Sequence, residues 1–150
     1  MNIKQLEDMG IEIPSDFLKF LKMTESQKLE AVKKDGYSIQ YIQNPSEQVQ
    51  IESVKQDGLF IRFVQNPSEQ VQIEAVKQDG LFIRFVHNPS EQVQIESVKQ
   101  NGDLILYIHN PSEKVQIEAV KQSENSIKHF NSSWISFGFI ITTDEEISES

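Results

Sequence analysis

One feature limits this chain more than any other: a 22-residue repeat. The stretch from Asp57 to Gln78 recurs immediately as Asp79 to Gln100, with changes only at Gln65/His87 and Ala75/Ser97. A unit this thin cannot enclose a core of its own. It hides its apolar side only against neighbours of the same kind, so the fold has to be a stacked array. Residues 35–56 and 101–122 are looser copies, and residues 24–34 and 123–131 are partial ones. The period fades at Phe17 and Phe20 on one side and at Trp134 on the other. End units have to face water with a surface that inner units bury, so residues 1–23 and 132–143 read as caps. Residues 144–150 form an acidic tail. The whole reads as a single repeat domain.

Each unit divides into a longer and a shorter segment. Asn44-Pro45-Ser46-Glu47, repeated at 66–69, 88–91 and 110–113, has the pattern of a capping box. In that reading Asn44 is the N-cap, Pro45 the first helical residue and Glu47 the third, reaching back. Helices are expected over 45–56, 67–78, 89–100 and 111–122. Each would end where a glycine such as Gly58 takes the left-handed position after the helix. Position 53 is Ser or Ala in every copy (53, 75, 97, 119), small enough for close helix approach.

The shorter segment, Leu59 to Val64, is ambiguous. Position 61 is Ile in every copy (39, 61, 83, 105, 127), and position 64 is always apolar (42, 64, 86, 108, 130). That spacing suits a short α or 3₁₀ helix. The alternation of Ile61 and Phe63 suits a strand as well, which would make a leucine-rich-repeat horseshoe. The helix-start reading of Asn66 to Glu69 favours the helical alternative. The expected fold class is therefore all-α: a right-handed α-solenoid of four to five helix–short-helix repeats with degenerate caps. A short β element is the option for the C-terminus.

A hydrophobic fraction of 37% is low for a globular domain, but each unit needs only a modest apolar set when neighbours complete its core. The absence of Cys excludes disulfides, thiolate metal sites and thiol nucleophiles. The net charge of −9 argues against a nucleic-acid-binding surface. Of this, −4 comes from residues 123–150 and −5 from the repeats at 35–122. Charges interrupt Met1 to Gly10, so that segment does not read as a signal peptide. The apolar run 134–141 is far shorter than the ~20 residues that span a bilayer. The expected compartment is the cytoplasm of a bacterial host cell, without membrane attachment.

The core Val71-Gln-Ile-Glu-Ala-Val-Lys-Gln-Asp-Gly80, preceded by Asn66-Pro-Ser-Glu69, resembles the short helical repeats of unknown function in bacterial, phage and large-virus proteins. More distantly it is similar to leucine-rich-repeat-variant and HEAT-type solenoids. The resemblance covers residues 24–130. It implies a binding scaffold, often one acting in conflict between mobile elements and their hosts, and it brings no catalytic residue with it.

Stacking turns every position into a ladder, and positions that vary between near-identical units are candidate contacts. Position 62 reads Gln40, Arg62, Arg84, Leu106, Lys128, and position 60 reads Ser38, Phe60, Phe82, Leu104, Ser126. Phe60, Arg62, Phe82 and Arg84 have the residue types of a protein-binding hot spot, with core packing as the competing role of the two Phe. His87 and His109 occupy equivalent positions and are added to the partner-binding set; no third ligand for a metal is evident. Trp134, Phe137 and Phe139 offer a docking or dimerisation strand, or else a hydrophobic cap. The Glu ladder (30, 52, 74, 96, 118) beside the Lys ladder (33, 55, 77, 99, 121) reads as a solvated, self-paired face. No catalytic residue, cofactor or metal site is expected.

The expected function is a non-enzymatic protein-binding scaffold: a small acidic phage or mobile-element inhibitor of a host defence or nucleic-acid-processing enzyme, with a basic protein as partner. The alternatives are a self-associating module dimerising through the C-terminal hydrophobic segment, and a small-ligand binder.

Overall fold

The computed structural model describes residues 3–129. The element order is α1 (Ile3–Asp8), α2 (Ser15–Leu21), α3 (Glu25–Lys34), η1 (Gly36–Tyr41), α4 (Glu47–Gln56), η2 (Gly58–Phe63), α5 (Glu69–Gln78), η3 (Gly80–Phe85), α6 (Glu91–Gln100), η4 (Gly102–Tyr107), α7 (Glu113–Gln122) and η5 (Glu124–His129), where η marks a 3₁₀ helix. Among the described residues there is no strand. Each α-helix from α3 onward packs on the next, and each 3₁₀ helix on the next. The chain is an all-α solenoid with one α layer and one 3₁₀ layer. The C-terminal β option lies outside the described residues. No helix among those described is long and apolar enough to cross a membrane.

The shorter segment is a 3₁₀ helix because its burial repeats every three residues. Side chains at i and i+3 eclipse in that geometry. Gly58, Ile61 and Val64 are accordingly buried together, Phe60 and Phe63 are half-buried, and Arg62 is exposed. Asp57 starts the turn: its carboxylate accepts from the Leu59 N–H at 2.9 Å, and its carbonyl accepts from the Phe60 N–H at 3.0 Å. A strand would have put Ile61 and Phe63 on one face.

Two details depart from the sequence reading. The helix N-cap is Ser46, not Asn44, and the helices begin at residues 47, 69, 91 and 113. Asn44, Asn66, Asn88 and Asn110 stand in the left-handed region at φ between 48° and 51°, turning the chain so that each Pro precedes the helix. Ser46 Oγ then accepts from the Val49 N–H at 3.3 Å. Glu47 is thus the first helical residue and cannot reach back as a third would. It receives instead the hydroxyl of Ser68 from the next unit. Ser90 bonds Glu69 and Ser112 bonds Glu91 in the same way.

Gly58 does not take a left-handed position after α4. Asp57 ends the helix in an extended conformation at φ −153°. Gly58 is required for space: a Cβ there would lie 2.7 Å from the Phe82 ring and 2.9 Å from the Ala75 carbonyl oxygen. Position 60 of each following unit fills the volume that a glycine leaves, Phe60 over Gly36, Phe82 over Gly58 and Leu104 over Gly80.

The core is a set of aliphatic ladders. Val49, Val71, Val93 and Val115 form one, Val32, Val54, Val76 and Val98 a second, and Ile39, Ile61, Ile83 and Ile105 a third, all at most 2% exposed. Each such side chain contributes about 1.5–3 kcal/mol. A ten-residue α-helix is marginal alone, so these ladders hold the units. A polar ladder adds to them. Gln78 Oε1 accepts from the Gly58 N–H at 2.8 Å while its Nε2 donates to the Val54 carbonyl. Gln56 and Gln100 make the same two bonds one unit before and after. At the N-terminal end Phe20 of α2 packs on the first core cluster and stands 5.3 Å from the Tyr41 ring.

Candidate partner-binding face

Apart from Met9 and Ile11 near the N-terminus, the exposed large apolar side chains among the described residues lie on the 3₁₀ layer. Tyr37, Tyr41, Leu106 and Tyr107 are each 42–48% exposed. Position 63 is aromatic in every full unit, as Tyr41, Phe63, Phe85 and Tyr107, and these rings form a column down the layer. The rings at its upper end also touch one another. Tyr37 lies 6.5 Å from Tyr41, 5.9 Å from Phe60 and 5.4 Å from Phe63.

The chain's only two arginines join this column. The Arg62 guanidinium carbon lies 5.3 Å from the Phe63 centroid and 6.0 Å from that of Phe85, and Arg84 lies 5.4 Å from Phe85 and 5.9 Å from Tyr107. Each guanidinium therefore sits between rings of consecutive units, attracted by their negative faces. Neither pairs with a carboxylate among the described residues.

The candidate residues fall into three groups. Arg62 and Arg84 are exposed and stand on the ring column. Arg62 shares a groove with Phe85, Gln65, Asn66 and His87, so His87 is brought to the same face. His109 is exposed at the equivalent place one unit on. Phe60 and Phe82 are half-buried and pack over glycines, which gives them a structural task between units. Trp134, Phe137 and Phe139 lie outside the described residues. The members that sequence reading missed are Tyr37, Tyr41, Phe63, Phe85 and Tyr107. The three-residue period, rather than alternation, was the signal that would have found the ring column.

On the α layer the ladder lysines are exposed, whereas Glu52, Glu74, Glu96 and Glu118 are half-buried. Lys55 lies 3.6 Å from Glu52 and Lys121 lies 3.7 Å from Glu118, partly exposed pairs contributing a few tenths of a kcal/mol at most. Glu91 is distinct. Its carboxyl is held below the ordinary glutamate range, first by the Ser112 hydroxyl and then by the Lys114 ammonium 3.6 Å away. No group of three or more His, Asp or Glu suited to a metal ion occurs among the described residues.

Comparison of the chain with protein-family models, curated proteins and solved structures finds no match.

Proposed function

We propose that this solenoid is a non-enzymatic scaffold that binds another protein through its 3₁₀ layer. The observation that carries the reading is the column of half-buried and exposed rings interleaved with two exposed arginines that pair with no carboxylate among the described residues. Tyr and Arg are the side chains that dominate interface energetics, because each offers a large rigid contact and a polar end. The net charge of −9 favours encounter with a partner whose overall charge is positive. Within this class, inhibition of a host defence or nucleic-acid-processing enzyme by a phage or mobile-element protein is the role that the acidity and the repeat resemblance favour.

The test is paired affinity capture from the native host lysate, using the parent chain and the Arg62→Glu, Arg84→Glu variant. The expected result is a protein retained by the parent and lost by the variant, at unchanged helicity by circular dichroism. Equal retention by both would overturn the assignment of the face.

A further inference from the structure

Building on that reading of the 3₁₀ layer, we infer that its ligand is a peptide segment in the polyproline II conformation carrying two carboxylates three residues apart, with apolar side chains between them. The spacing follows from the column itself. Arg62 lies between the Phe63 and Phe85 rings, so those rings are separated by no more than its two distances end to end, about 11 Å, in line with the ~8–10 Å between packed helices. Arg62 and Arg84 are equivalent residues of consecutive units and repeat at that interval. A polyproline II chain rises about 3.1 Å per residue and returns to the same face every third residue, so three residues cover about 9 Å with both carboxylates on one side.

The chemistry follows from the guanidinium. Its planar fork matches a carboxylate in two parallel hydrogen bonds, and stacking on a ring leaves the outward N–H groups free to donate. With 23 acidic residues in the chain, the fold still leaves both arginines without an ion pair among the described residues. The rings of Phe63, Phe85 and Tyr107 form the apolar floor under the segment, with the intervening side chains flanking it. Tyr107 is 42% exposed and closes the column on the Arg84 side.

The net charge narrows the ligand further. A densely anionic polymer would meet repulsion from the −9 of the whole chain along its length. A segment with two carboxylates meets the two guanidinium groups at contact range and adds little long-range repulsion. The inference is thus compatible with a partner that is basic overall and acidic only in the docked segment.

The probe is an array of twelve-residue peptides of Leu, Thr and Ser containing two glutamates separated by one to six positions. It is read with the labelled full-length protein, and hits are titrated by fluorescence anisotropy. The expected result is a maximum at a separation of three. Arg62→Gln and Arg84→Gln should each weaken that peptide about tenfold, and Arg84→Lys should weaken it less, since it keeps the charge but loses the fork. Circular dichroism of each variant checks folding.

Binding that ignores the glutamate spacing, or survives both Gln substitutions, would overturn the inference. So would tighter arginine-dependent binding of a labelled oligothymidylate, which would move the ligand class to phosphate backbones. Absence of any peptide signal, with differential capture in the lysate experiment intact, would overturn the spacing inference while leaving the face assignment standing. Loss of both would remove the face as well.

Discussion

Asn66 shows how much of this fold rests on single residues. It holds φ at 51°, in the left-handed region, between the 3₁₀ helix and Pro67. Asn enters that region more readily than other residues with a Cβ, and glycine enters it without steric cost. Asn66→Ala should lower unfolding free energy by about 1–2 kcal/mol, whereas Asn66→Gly should stay within about 0.5 kcal/mol of the parent. Denaturant titration of both variants checks this, and equal losses would contradict it. The sequence signalled these turns through Asn-Pro. The sequence reading places the N-cap at the asparagine, and its left-handed conformation is what passes that role to serine. Glu91 gives a second prediction. Its carboxyl is lowered by the Ser112 hydroxyl first and by Lys114 next, so its stabilising contribution is present at neutral pH and is lost as pH falls through the lowered value. Carboxyl-detected NMR titration should show Ser112→Ala raising the Glu91 pKa more than Lys114→Gln does.

At the scale of the element, burial with period three explains most of what was and was not legible. The i, i+3 apolar spacing of Ile61 and Val64 points to a short α or 3₁₀ helix, and both side chains are buried, Ile61 in the 3₁₀ helix that forms and Val64 at its C-cap. Positions 60 and 62 have different surroundings: Phe60 is half-buried over a glycine and Arg62 is exposed. The three-residue turn sets Phe60 beside Phe63 and turns Arg62 outward. The glutamine ladder was not legible, since Gln78 at a helix end looks like an ordinary polar residue until the next unit is stacked. Its two bonds reach Gly58 and Val54 of the preceding unit. Gln78→Met keeps the volume and strands both backbone groups, so it should cost about 1–3 kcal/mol. It should also speed exchange of the Gly58 amide, whereas an unchanged exchange rate would contradict the ladder. Gly58→Ala should cost about 1–3 kcal/mol through overpacking against the Phe82 ring and the Ala75 carbonyl.

For the molecule as a whole, the principal contacts among the described helices run within a unit or between neighbouring units, and that was the most legible property of the chain. The repeat alone required stacking, and the low apolar fraction follows because each unit borrows half of its core. Handing a ring from one unit to the gap over a glycine of the unit before makes the interfaces nearly interchangeable. The same stacking sets the arginines at one-unit intervals, so architecture and proposed recognition share one spacing. The most direct measurement is deletion of residues 79–100, which joins Gln78 to Asn101 in the sequence context of the natural Gln100–Asn101 junction. Circular dichroism and small-angle scattering of this chain should show unchanged helicity per residue and a maximum dimension shorter by about 10 Å, one helix spacing. An unfolded chain, or a folded one of unaltered length, would contradict a solenoid held by nearest-neighbour ladders.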